Sequence, residues 1–348
     1  MTQPPSDEHL YALVLVSKAL DPNSNADFVK IVLKLQQATR GLTGPAEADA
    51  LRSALSTLDV DWRSMDKGAR AKVYAAAKAA VNPVDRVLPK IENKLVVSAA
   101  EIGQSARKSA RASFKLKIEP NLSAVNSRVL EHVATSQALF IRNEYGRRSA
   151  KFSQQARDIV EAGLAKGARR KVIVEELQAK LGDAGVDKSK AYWNMIAATF
   201  ANRARTYSNL ASYADAGIAA FIYPSVMDER TSVICRFMNG RRFPVAAALE
   251  AYAATARLKD PTDVVDTQPW LSEGKNDKGD RILYFRSSDG SRSQVAVVDD
   301  GADGQLDAKG KFSSAMSNAD LQDAGVMSPP LHGLCRSTIM PEYGTRRR

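Results

Sequence analysis

From Ser6 to about Ala216 apolar side chains recur at three- and four-residue steps with few β-branched runs, a pattern that predicts helix after helix. Turn-forming pairs predict the breaks, at Asp21-Pro22, Gly41 to Pro45, Asn82-Pro83, Glu119-Pro120 and Gly182 to Gly185. The longest unbroken candidate is Lys188 to Gly217, where Trp193, Ile196, Phe200 and Tyr207 share one stripe; it reads as a core helix on which a C-terminal domain is built. Val96 to Ala112 is rich in alanine and serine with basic residues along it, the texture of an exposed or loosely packed helix. After Gly217 short apolar strands take over: Ile218 to Val226, Arg281 to Ser287 and Gln294 to Asp299. The last two are separated by Asp289-Gly290 and predict a hairpin. Val245 to Leu258 reads as helix, and Asp300 to Phe312 as a Gly/Asp/Lys-rich loop. The fold class is therefore α+β: a mainly helical N-terminal region, residues 1–150, basic toward its end, then a small α+β domain with short strands.

Charge changes the picture in one place. The chain of 348 residues carries 50 basic and 39 acidic side chains, a net charge of +11, which biases it toward polyanions or acidic protein surfaces. Between Glu101 and Lys171 basic side chains outnumber acidic ones by more than two to one. Arg107, Lys108, Arg111, Lys115, Lys117, Arg147, Arg148, Arg169, Arg170 and Lys171 are the candidates for DNA or acidic-surface contact, with a solvated helix face as the plainer alternative. The opening segment lacks the basic lead and cleavage site of a secretory signal, and two cysteines cannot build a disulfide framework, so folding in a cytosol is expected. No apolar run approaches the ~20 residues needed to cross a bilayer, so no membrane partner is expected.

Two segments carry chemistry. In DERTSVICRFMNG, Asp228 to Gly240, Asp228 suits a helix N-cap, Asn239-Gly240 a left-handed stop, and Arg230 a bidentate grip on a carboxylate. In PPLHGLCRSTIMP, Pro329 to Pro341, the prolines predict an extended approach, and His332-x-x-Cys335 sets an imidazole and a thiol one short turn apart. Cys235, His332 and Cys335, with Asp228 as a fourth ligand, have the chemistry of a zinc site; equally, they can knit the domain as buried hydrogen-bonding groups. A disulfide between the two cysteines is a third reading, disfavoured by a reducing cytosol.

Together these segments resemble the phage Mu F-like minor head proteins, the phage head morphogenesis family, whose pattern D-x-R-T-x-x-x-C-x-x-x-x-G is followed after a variable insertion by P-P-x-H-x-x-C-R and a terminal proline. The match falls on Asp228, Arg230, Thr231, Cys235, Gly240, Pro329, Pro330, His332, Cys335, Arg336 and Pro341. Asn202 to Gly217 is similar to the family's lead-in, and the resemblance covers the chain from near Gly163 onward. It implies a head morphogenesis domain over residues 151–348 with an insertion at about 245–325. It further implies a non-enzymatic minor capsid protein of a tailed phage or prophage. Its partners would be portal and capsid proteins, with DNA contact through the basic middle region. Its location would be the host cytoplasm during assembly and then the interior of the virion head. Where many members carry extra cysteines, this chain has Ser232 and Ser337, which weighs toward packing and hydrogen bonds over zinc.

Two enzymatic alternatives compete. Cys235 as nucleophile and His332 as base, oriented by Asp228 or Asp323, is one, though nothing around Cys235 resembles a peptidase signature. The other is a nucleic-acid enzyme using the acidic loop Asp299, Asp300, Asp303 and Asp307. That loop fails the calcium-binding pattern at Gly301 and Gly310, and Gly304 to Lys311 misses the phosphate-binding loop, so no cofactor or small-molecule substrate is expected.

Overall fold

The computed structural model describes residues 25–182, 186–225, 227–258, 263–333 and 335–342. The fold is α+β, with long helices followed by small antiparallel sheets. The helices are α1 (Asn25–Leu58), α2 (Lys67–Ala80), α3 (Val84–Phe114), α4 (Ala124–Ala165), α5 (Arg170–Gly182) and α6 (Val186–Asp215). They end at Asn82-Pro83, around Glu119-Pro120 and at Gly182, as predicted. Gly41 to Pro45 is not a break: α1 runs through it, with Thr39, Thr43, Ala50 and Ala54 all buried, and side-chain burial outweighs the hydrogen bond that Pro45 cannot donate. The Asp21-Pro22 break lies outside the described residues.

The chain forms two compact units that are discontinuous in sequence. One comprises Lys34–Leu95 and Gln137–Asn194; the other comprises residues 25–33, Val96–Ser136 and the chain from Met195 onward. The boundary expected near residue 150 falls inside α4.

The first unit is helical. Its core joins Leu58 and Trp62 to Tyr74 and Ala77 of α2, Phe152, Ala156 and Val160 of α4, and Ile173, Leu177 and Leu181 of α5. The four-residue spacing of that last trio puts all three on one stripe. Trp62 stacks on Tyr74 with ring centroids 5.1 Å apart and satisfies its indole N–H on the Leu58 carbonyl at 3.1 Å.

The second unit holds the sheets. Strands β1 (Ala220–Tyr223), β2 (Arg241–Pro244) and β7 (Met340–Glu342) form one antiparallel sheet in the order β2-β1-β7. Phe221 of the central strand faces Phe243 on one side and Pro341 on the other, an edge position where the missing proline N–H costs nothing. Between β2 and β7 the expected insertion is a folded element of its own: α8 (Val245–Thr255), α9 (Val264–Thr267), then β3 (Leu271–Lys275), β4 (Arg281–Arg286), β5 (Arg292–Asp300) and β6 (Lys311–Ser313) as a four-stranded meander, and α10 (Asn318–Asp323). The predicted hairpin is β4–β5, turning at Gly290 with φ +85°. Trp193, Ile196, Phe200 and Tyr207 of α6 are all buried, as the stripe predicts. The helix through Val96 to Ala112 is not loosely packed: Ala99, Ile102, Ala106, Arg107 and Ala110 line a buried face.

Candidate functional site

The first motif segment folds as a turn and a short helix. Asp228 is not a helix N-cap: its Oδ1 accepts from the Arg230 N–H at 3.0 Å and from the Thr231 hydroxyl at 2.9 Å, closing a turn before the helix starts. The cap is Ser232, whose hydroxyl accepts from the Cys235 N–H at 3.2 Å and opens α7 (Val233–Met238). All six residues of α7 are buried, including Arg236. Gly240 supplies the left-handed turn, φ +78°, and returns its N–H to the Tyr223 carbonyl at 2.8 Å.

The second segment is threaded back against α6 and β1. Asn202 of α6 donates to the Cys335 carbonyl at 2.9 Å and the Ser337 carbonyl at 3.3 Å, and Tyr213 donates to the Ile339 carbonyl at 3.1 Å. The Pro329-Pro330 peptide is cis, where the sequence predicts an extended approach. His332 to Cys335 is one turn, the Cys335 N–H reaching the His332 carbonyl at 3.3 Å.

The two segments meet. Arg336 takes Asp228 through Nη1 to Oδ2 at 2.8 Å and Nη2 to Oδ1. Beside this pair the Cys235 Sγ lies 3.1 Å from His332 Nε2 and 3.9 Å from Cys335 Sγ. Three hydroxyls close the cluster: Ser232 Oγ is 3.0 Å from His332 Nε2, Ser337 Oγ donates to Cys235 Sγ at 3.2 Å, and the Tyr223 hydroxyl is 3.5 Å from Cys335 Sγ. His332 Nδ1 donates to the Gly333 carbonyl at 2.7 Å, which fixes the ring and turns Nε2 toward the sulfurs. Both thiols are free and buried.

The electrostatics follow from these contacts. Burial pushes the Asp228 carboxyl up, but the hydrogen bonds from Arg336 and Thr231 outweigh it and hold it at about 2. The hydrogen bond between the two sulfurs pushes the Cys235 thiol well up and pulls Cys335 well down. Burial opposes charge on His332, yet the Cys335 sulfur beside it raises the imidazole above its usual value.

Of the residues singled out in the sequence, Asp228, Thr231, Cys235, His332, Cys335 and Arg336 come together. Asp228 is not a fourth ligand beside the sulfurs, because Arg336 and Thr231 claim its oxygens and the clustered donor atoms are those of Cys235, His332 and Cys335. Arg230 is exposed, and the carboxylate of Asp228 is gripped bidentately by Arg336. Pro330 is buried just ahead of His332.

Sequence reasoning missed Arg236. Its guanidinium lies inside the domain and donates to the carbonyls of Thr231 at 3.2 Å, Asp228 at 2.7 Å, Gln305 at 2.6 Å and Ala308. It thereby holds the turn before α7 to the loop between β5 and β6. The signal was there, a lone cation in the otherwise apolar run VICRFM.

The basic residues divide. Arg107 through Lys117 belong to the second unit, and Arg147 through Lys171 to the first. Arg107 is withdrawn from any surface role: it is 1% exposed, paired with Asp215 at 2.7 Å and bonded to the Glu119 carbonyl. Arg148 lies over the Tyr192 ring at 3.9 Å, Arg147 pairs with Glu144, and Arg170 with Asp59. Lys171 stands 3.9 Å from Glu175, and Arg111 is partly buried. Lys108, Lys115, Lys117 and Arg169 are exposed. The acidic loop is committed elsewhere: Asp303 to Arg281, Asp299 to Ser313 and Asp300 to the Ala302 N–H.

No family model, curated protein or solved structure matches the chain. Among the described residues no helix is long and apolar enough to cross a membrane.

Proposed function

We propose that this chain is a minor head protein of a tailed phage or prophage. It associates in few copies with the portal and the procapsid interior and ends in the virion head. The observation that supports this is the meeting of the two motif segments: Asp228 is joined to Arg336 across 108 positions, and Cys235 to His332 across 97. A two-part pattern separated by a variable insertion requires such convergence if it marks a single structural unit. Here the insertion folds as its own meander and leaves the two halves in contact. The role is structural rather than catalytic. Cys235 and Cys335 are 5% and 4% exposed, closed to a substrate, and His332 turns Nδ1 to a backbone carbonyl instead of a carboxylate. Exposed Lys108, Lys115 and Lys117 supply sequence-independent phosphate contacts to packaged DNA.

Co-expression with the portal and capsid proteins encoded beside it tests the reading. The chain co-sediments with procapsids at substoichiometric copy number; procapsids that assemble normally and exclude it overturn the assignment.

A further inference from the structure

The cluster of Cys235, His332 and Cys335 is more than a hydrogen-bonded knot. Its three donor atoms all lie within 4.8 Å of one another. In a tetrahedral zinc site with Zn–S about 2.3 Å and Zn–N about 2.0 Å, two sulfurs stand about 3.8 Å apart and a sulfur and a nitrogen about 3.5 Å. The Sγ–Sγ separation here is 3.9 Å and Cys235 Sγ to His332 Nε2 is 3.1 Å, within a few tenths of an ångström of those values, and the third edge, Cys335 Sγ to the imidazole, lies within 4.8 Å, so an ion fits once that edge draws in by up to about 1.3 Å. A disulfide, by contrast, would need the sulfurs to close to about 2.05 Å.

The imidazole is also presented as a ligand is. Its Nδ1–H is spent on the Gly333 carbonyl, which leaves the Nε2 lone pair directed at the sulfurs, the outer-shell arrangement that fixes metal-binding histidines. Charge points the same way. Two thiolates and an imidazole around Zn2+ are neutral in sum, so a bound ion leaves no net charge buried in the cluster. An oxygen stands ready for the fourth position, since Ser232 Oγ is 3.0 Å from Nε2.

We propose that Cys235 Sγ, Cys335 Sγ and His332 Nε2 bind one zinc ion, with the Ser232 hydroxyl or a water completing a tetrahedron that clamps the two motif segments together. Binding displaces the thiol protons to solvent and involves no change of oxidation state. The buried position, 5% and 4% exposed at the cysteines, makes the ion structural. The zinc clamp is independent of the head-protein reading, because it concerns how the domain closes and holds whatever that domain docks on.

The chain has only two cysteines, so any sulfur-to-metal absorption band reports this cluster alone. The full-length protein, purified in reductant without chelator, is expected to carry one zinc per chain by elemental analysis. After exchange it is expected to bind one Co2+ with near-ultraviolet thiolate charge-transfer bands and intense tetrahedral visible bands, both erased by added zinc. Chelation should lower its melting temperature, and Cys335→Ser should remove the charge-transfer intensity of one sulfur. Because removing a ligand can unfold the domain, the wild-type cobalt titration decides. A folded, reduced wild-type chain that gives no thiolate bands with Co2+, or that binds metal without them, overturns the proposal.

Discussion

Arg336 grips both carboxylate oxygens of Asp228, and side-chain exposures of 10% and 22% keep water from competing freely for either partner. Bidentate geometry makes this the principal charged tie between the two motif segments. Arg336→Ala should cost about 2–3 kcal/mol in chemical denaturation, much of it from stranding Asp228. Arg336→Lys should recover little, because an ammonium cannot reproduce the fork. In a cycle with Asp228→Asn, the double variant should lose less than the sum of the singles.

The same pair sets an acid limit. Because the folded Asp228 carboxyl is held at about 2, below the ordinary value of about 3.9, its contribution is complete above that ordinary value and is lost as pH falls toward 2. Discounted for partial exposure, it amounts to about 1 kcal/mol. Unfolding of wild type and Asp228→Asn from pH 6 down to pH 2 should show the wild-type advantage shrinking below about pH 4. A constant gap would place the stabilisation in something other than ionised Asp228.

Arg236 is expected to matter more than its place outside the recognised pattern suggests. Arg236→Met keeps the bulk and strips four carbonyls of their donor, for a cost of about 3 kcal/mol or more. Hydrogen exchange should quicken around Gln305 to Ala308 before the remainder of the domain is affected.

Gly325 is a strict position. Its φ is +75°, and a Cβ there would lie 2.3 Å from the Thr267 carbonyl oxygen. Gly325→Ala combines left-handed strain with a clash against backbone and should cost about 2 kcal/mol or more in urea unfolding.

Two kinds of basic residue should separate in DNA binding. Replacing Lys108, Lys115 and Lys117 by Gln should reduce the salt slope of affinity by about 2.7, since each phosphate no longer neutralised lowers it by about 0.9. Arg107→Met should leave that slope unchanged while lowering the melting temperature, since Arg107 is spent on Asp215 and Glu119. An unchanged slope in the lysine variant would indicate an acidic protein surface as the target of this charge.

Much of the architecture was legible because its signals are local. The stripe of α6 and the β4–β5 hairpin at Asp289-Gly290 follow from periodicity and turn chemistry alone. Strand β3, Leu271–Lys275, carries a glycine and two charges and gives no such pattern; it is a strand because β4 pairs with it. Pro45 misled for the converse reason, as burial along α1 overrides a local breaker. In the candidate site, Cys235, His332 and Cys335 could be named from donor chemistry, but their neighbours could not. Asp228 has the right residue type for a cap or a ligand. Its actual role is decided by Arg336, 108 positions away. Arg107 looks like surface charge because composition carries no information about burial.

The three-stranded sheet imposes an order of events. Strand β1 spans residues 220–223, while the strand that flanks it opposite β2 arrives only at residues 340–342. During synthesis β1 therefore waits with one edge open, and Phe221 and Tyr223 depend on later chain for their cover. The β3–β4 and β4–β5 turns are short and close at little cost in loop entropy, so the meander is predicted to gain hydrogen-exchange protection first, with β1 protected last. On that timetable, a nascent chain stalled after β6 has a finished meander beside an unpaired strand edge, and that edge is where it would capture another copy of itself.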